Sequence, residues 1–183
     1  QARPRTIPLS PRRLPVLLFT DGSCEPTKDQ WVQAGYGAVL LDLESNKYEY
    51  FGGYIQPKLL SLLTEGGKKL QIVGQAELLP CLAARHCWGN DLKGRMILHF
   101  IDNEAARFTL ISGRSRVGDS SWLAHTTWAH EARNGSFSFF FRVPSPSNVA
   151  DPPSRGQPPP KIANLNPVAA NFDLSQFETD ILA

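Results

Sequence analysis

Four carboxylates are the residues in this 183-residue chain best placed to do chemistry: Asp21, Glu77, Asp102 and Asp151. Each falls where an expected element starts or stops. Asp21 closes a first strand, Glu77 opens the first main helix, Asp102 closes a fourth strand, and Asp151 follows a fifth. Acids leaving neighbouring strands lie close together, because adjacent strands are about 4.8 Å apart. Carboxylates that close repel and raise one another's pKa. A divalent cation removes the conflict, and oxygen-only donors suit Mg²⁺ or Mn²⁺ rather than Zn²⁺. Two such ions about 3.5–4 Å apart activate a water and stabilise the leaving oxygen in phosphodiester hydrolysis. Each acid alone also has an ordinary structural reading. Asp21-Gly22 suits a turn, Glu77 suits a helix start, Asp102 suits an N-cap, and Asp151 before Pro152 suits a helix start. It is their joint appearance, in this order and on these elements, that points to chemistry.

The elements that must position them follow from apolar patterning. Residues 14–19, 34–41 and 48–55 read as three strands, with a short polar connection at 42–47 that suits an antiparallel hairpin. Residues 56–73 read as loop with one helical turn at 59–63. Apolar residues at 78, 79, 82, 83 and 87 give a helix over 75–88, where Pro80 is tolerable near the start or at a kink, placing Glu77 in the first turn. Residues 95–101 form a fourth strand, 103–112 and 120–133 two helices (Ser120 or Ser121 a candidate cap), and 137–143 a fifth strand. The order gives an α/β fold: a mixed five-stranded sheet, three antiparallel strands and then alternating helix and strand, flanked by helices.

Three segments are expected: a flexible basic arm at 1–13, a catalytic domain at 14–156, and a Pro-rich extension at 157–183, disordered or docking. The arm carries Arg3, Arg5, Arg12 and Arg13, which suit phosphates. The tail is acidic, and the middle balances 14 basic against 14 acidic residues. Gathering four of those acids around metal leaves the rest of the surface mildly favourable to a polyanion. No apolar run approaches the roughly 20 residues of a membrane span. Cys24, Cys81 and Cys87 show neither a disulfide framework nor zinc-ligand spacing, which suits a reducing setting, intracellular and cytoplasmic or nuclear. His125 and His130 are five apart, so helical stacking does not pair them as ligands. His86 and His99 likewise read as surface or core, and Trp122 and Trp128 as packing.

Four blocks carry a resemblance. Phe-Thr-Asp-Gly-Ser (19–23), Gln-Ala-Glu-Leu-Leu (75–79), Phe-Ile-Asp-Asn (100–103) and Pro-Ser-Pro-Ser-Asn-Val-Ala-Asp-Pro-Pro-Ser-Arg-Gly (144–156) resemble the four motifs of type 1 RNase H. The last block is similar to the RNase H domains of hepatitis-B-type virus and retroelement polymerases. The resemblance covers roughly residues 16–156. It implies an RNase H-like fold and a nuclease that cuts the RNA strand of an RNA–DNA hybrid with two ions, Mg²⁺ or Mn²⁺. It also implies a reverse transcriptase polymerase domain in the same polyprotein as a partner. Asp21 is then expected to bridge both ions, Glu77 and Asp102 to hold one, and Asp151 to hold the ion that activates water. Gly22, Ser23, Gln75, Asn103 and Arg155 are the expected nucleic-acid contacts.

The sequence also departs from the family. No His stands in residues 144–150, position 74 is Gly where a polar residue is common, and the 102–151 interval is short for an extra basic helix. The alternative is an inactive RNase H-like module that binds nucleic acid or protein. A paired-acid exonuclease is disfavoured, because Asp21 is followed by Gly22-Ser23-Cys24 before Glu25 and lacks the Asp-x-Glu pattern.

Overall fold

The computed structural model describes residues 13–26, 32–64 and 72–175. Most of the basic arm and the last eight residues lie outside these, as do residues 65–71 of the expected loop. A six-stranded mixed sheet runs in the order β5-β4-β1-β2-β3-β6. Its strands are β1 (Val16–Pro26), β2 (Val32–Asp42), β3 (Lys47–Tyr54), β4 (Met96–Ile101), β5 (Phe137–Arg142) and β6 (Val168–Ala169). The first three form an antiparallel meander, and β4 pairs in parallel with both β1 and β5. Among the described residues no helix is long and apolar enough to cross a membrane.

Alternation along the strands explains where the core sits. Val16, Leu18 and Thr20 of β1 and Ile97, His99 and Ile101 of β4 are fully buried, and Leu18 and Ile97 anchor the larger apolar cluster. Against this face lie α1 (Pro57–Leu63), α2 (Val73–Cys87), α3 (Gly89–Leu92), α4 (Glu104–Ser112) and α5 (Gly118–Asn134). Every residue of α2 from Gln75 to Arg85 is buried. Such a helix is enclosed on all sides, not amphipathic.

Four features differ from the sequence expectation. First, β1 does not stop before Asp21. It pairs with β2 as far as Pro26↔Val32, because the Asp-Gly-Ser that suggests a turn faces packed elements instead. Second, α2 starts at Val73, so Glu77 is its fifth residue and Pro80 lies inside the helix. Third, α5 begins at Gly118 with Val117 at the cap position, ahead of Ser120 and Ser121. Fourth, the sheet has six strands rather than five. Residues 157–175 pack back on the domain: β6 pairs in parallel with β3, and Ala170 N–H donates to the Tyr50 carbonyl at 2.7 Å. Ile162 joins Val39, Leu41 and Ala150 beneath the sheet, while Phe172 packs on Phe51, ring centroids 4.5 Å apart. Two strand residues are too few to show a period of two.

Candidate active site

Sheet register brings the first two acids together. Phe19 pairs with Phe100, and two residues further on come Asp21 in β1 and Asp102 just past the end of β4. β1 continues, supported by β2, where β4 has already ended. Glu77 enters from α2, whose N-terminal part lies against Gly22. A Cβ on Gly22 would come within 2.4 Å of the Ala76 carbonyl carbon and 2.5 Å of the Glu77 nitrogen. Pro80 has no N–H to offer that Ala76 carbonyl. The Gly22 N–H instead donates to Glu77 Oε2 at 3.3 Å. Gly22 therefore serves the close approach of helix to strand.

Asp21, Glu77 and Asp102 each offer an oxygen, and these oxygens lie within 4.8 Å of one another. Asp21 and Glu77 are only 4% and 6% exposed. Burial pushes the Asp21 carboxyl up to about 7; Asp102 and Asp151 add to the rise, and the Ser154 hydroxyl and Arg155 partly offset it. Burial pushes Glu77 up to about 9, reinforced by the charges of Asp21 and Asp102 and eased by hydrogen bonds from Gly22 and Asn103. Asp102 Oδ1 is buried and has no hydrogen-bond partner. Three carboxylates drawn this close, one with an oxygen left without a donor, are the donor set of a hard divalent metal, and the residues fit one.

Asp151 stands outside that group of three. It opens the short helix α6 (Asp151–Ser154), its side chain is 44% exposed, and Arg155 lies 3.5 Å away. The remaining expected contacts are placed as follows. Ser23 is buried and donates to the Ser154 carbonyl at 2.9 Å, and Gln75 is buried in α2, so both point into the chain rather than outward. Asn103 caps α4 by accepting from Ala106 N–H at 3.0 Å. That cap leaves Asp102 free of the capping role. Arg155 is exposed and paired with Glu25 and Asp151.

Sequence reasoning missed Asn148. It is fully buried and donates to the Thr20 carbonyl at 3.0 Å and to Asp21 Oδ1 at 3.2 Å. Its own Oδ1 accepts from Ala150 N–H at 3.2 Å. That i to i+2 bond is an Asx-turn, a signal readable in Asn-Val-Ala-Asp.

A second buried polar cluster lies beside the first. Arg85 donates to Glu131 Oε1 at 2.6 Å and to Ser138 Oγ at 2.8 Å, with His99 Nδ1 at 3.2 Å. Arginine only donates, so Nδ1 accepts and the proton sits on Nε2. Nε2 then donates to Thr20 Oγ1 at 2.9 Å, and Thr20 is left to donate to Cys81 Sγ at 3.3 Å. Burial, helped by the Arg85 charge, holds His99 well below the usual histidine pKa.

This sheet order and helix placement are those of an RNase H-like fold. RNase H1 from the halophilic archaeon Halobacterium salinarum superposes with a TM-score of 0.55 at 17% identity, covering 74% of this chain and 91% of that one. The N-terminal RNase H domain of a Mycobacterium tuberculosis protein gives 0.55 at 19%, covering 74% and 87%. LC11-RNase H1, solved in complex with an RNA/DNA hybrid, gives 0.53 at 14%, covering 81% and 99%. No protein-family model matches the sequence, and no curated protein matches it.

Proposed function

We propose that this chain is a metal-dependent endoribonuclease that hydrolyses the RNA strand of RNA–DNA hybrids, the RNase H domain of a retroelement-type reverse transcriptase. One observation carries the reading: three carboxylates gathered together, Asp21 and Glu77 buried and Asp102 half-buried, with one buried Asp102 oxygen lacking any donor. A fold keeps such a cluster at a cost in stability, so a ligand must account for it. The RNase H fold of the neighbours supports the choice of substrate, and the 144–156 block supports the retroelement assignment.

Asp21, Glu77 and Asp102 would hold Mg²⁺ or Mn²⁺, with Asp151 completing a two-ion site. Bound there, the ions supply an activated water and stabilise the leaving oxygen. The chain's own part is positional. Asn148 fixes one oxygen of Asp21, the Gly22 N–H and Asn103 orient Glu77, and the Asn103 cap turns α4 away so that Asp102 faces its partners. Partial exposure of Asp151 leaves that edge of the site open to solvent and substrate.

The test is cleavage of strand-labelled hybrid, duplex RNA and duplex DNA, each with Mg²⁺, with Mn²⁺ and with chelator. Cutting confined to the RNA of the hybrid, and only with metal, is expected. A folded sample that binds hybrid without cutting under either ion would make the domain a binding module.

A further inference from the structure

We infer that three strand glycines, Gly35, Gly37 and Gly52, are positioning residues for Asp151, seating its helix backbone-to-backbone on the sheet; this rests on the hydrolytic reading above. Glycine weakens a strand, so its presence needs a reason. Backbone freedom is not that reason, because the positive-φ glycines are Gly94, Gly113, Gly135 and Gly156. What these three share is a face. Asp21 pairs with Gly37, and Gly37 pairs with Gly52, so the acid and two glycines form one row across three strands. Ser23 pairs with Gly35 in the next row on that face.

The backbone of α6 lies directly on this floor. A Cβ at Gly52 would come within 2.1 Å of the Pro153 carbonyl oxygen. One at Gly37 would reach 2.3 Å from the Ser154 nitrogen and 2.7 Å from the Ala150 oxygen, and one at Gly35 would reach 1.9 Å from the Ser154 oxygen. The nearest obstacle at each of the three is a main-chain atom, which has no rotamer with which to yield. Gly53, next in the chain and on the other face, has nothing within 4 Å of its Cβ position. α6 is four residues long, two of them proline, and its polar ties are few: Ser23 Oγ to the Ser154 carbonyl, the Asn148 hook to Asp21, and, at its end, the Tyr54 hydroxyl to the Arg155 carbonyl and Arg155 to Glu25. The floor therefore sets the height of α6 above the row that begins with Asp21, and with it the distance of Asp151 from Asp21, Glu77 and Asp102. A methyl group on the floor must lift α6 by an ångström or more to restore ordinary contact.

The experiment compares Gly52→Ala, Gly53→Ala and Ser23→Ala, each with and without Asp151→Asn. Its readouts are hybrid cleavage, Mn²⁺ binding by calorimetry, and amide exchange of residues 154–157. Gly52→Ala is expected to lower cleavage about 100-fold, the usual consequence of an ångström-scale misplacement. It should also weaken Mn²⁺ binding and expose the 154–157 amides, while Gly53→Ala matches wild type. In the Asp151→Asn background Gly52→Ala should cost almost nothing more, because the group it positions is gone. An equal loss in both backgrounds, or unchanged exchange and binding in Gly52→Ala, overturns the inference. Should Gly52→Ala fail to fold, Ser23→Ala inserts nothing and loosens the same seat by one hydrogen bond, for about a threefold effect of the same sign. No change in exchange or Mn²⁺ binding for Ser23→Ala likewise overturns it. Exchange and calorimetry need no turnover. An inactive wild type that still shows the Gly52 and Gly53 contrast sinks the hydrolytic reading and leaves the seat standing.

Discussion

Two buried clusters of charged and polar side chains touch neighbouring residues of β1, Thr20 and Asp21, and they are built on opposite rules. Around Thr20 the charges cancel: Arg85 meets Glu131, and His99, Ser138 and Cys81 complete the hydrogen bonding. Around Asp21 three acids gather, two are pushed far above their usual pKa, and one oxygen has no donor. The first cluster is explained by folding, since each group has a partner that repays its removal from water. The second is not, since assembling it opposes folding. The contrast separates the two clusters without appeal to any relative.

The strongest way to break this comparison is Asp21→Asn. Metal-assisted stabilisation of developing charge is worth several kcal/mol, so hybrid cleavage should fall about a thousandfold or more. Metal-free stability should hold or rise, because a repulsive charge is removed. Melting in chelator beside a cleavage assay checks both. A large loss of melting temperature would put Asp21 in the structural class with Thr20.

Next in size is Arg85→Met. It leaves Glu131 buried with its charge unmatched, and removing one partner of a buried pair costs about 3–5 kcal/mol. Adding Glu131→Leu should recover part of that loss. Urea titrations of the single and double variants measure it; an Arg85→Met chain as stable as wild type would mean that the Arg85 cluster contributes nothing.

Titration sharpens the contrast more gently. Asp21 is raised to about 7 and Glu77 to about 9, both above their unfolded values near 4. The folded form therefore holds protons that the unfolded chain releases. Without metal, the contribution of these two groups is fully present below about pH 4 and is lost as pH rises through about 7 and then 9. Saturating Mg²⁺ should flatten the curve between pH 6 and 9. Melting temperatures across that range, with Mg²⁺ and with chelator, test this; parallel curves would count against metal at the trio.

Much of this was legible in the sequence, and the exceptions share a cause. The strands and α2 announce themselves by apolar period. Of the four acids, Asp102 and Asp151 do stand at element ends, whereas Asp21 lies inside β1 and Glu77 one turn into α2. What composition misread was governed by contacts distant in sequence. Thr-Asp-Gly-Ser looks like a turn, yet it is strand because α2 lies against Gly22 and α6 against the row of Asp21. Ser23 and Gln75, expected from the resemblance as nucleic-acid contacts, are buried by neighbours that a local window does not include. Gly37 and Gly52 lie inside strands that the sequence shows, but the backbone resting on them does not appear there. β6, two residues long, has no pattern to read.

The smallest expected effect lies at Asn103, where the uncompensated cluster meets an ordinary structural device. Its Oδ1 accepts from Ala106 N–H to cap α4, and its side chain also hydrogen-bonds Glu77, easing that carboxyl down. Removing both roles with Asn103→Ala should cost about 1 kcal/mol, the usual worth of an N-cap. It should also raise the Glu77 pKa further, because a bond favouring the charged form is lost. Asn103→Asp separates the two roles. Aspartate caps a helix about as well as asparagine, so α4 should keep its stability when Mg²⁺ is present. The same substitution adds a fourth negative charge beside Glu77 and Asp102, so without metal it should melt lower than wild type, and the gap should close as Mg²⁺ is titrated in. If Asn103→Asp behaves like Asn103→Ala with and without Mg²⁺, the residue is a cap alone, and the boundary between the two kinds of cluster falls at Asp102.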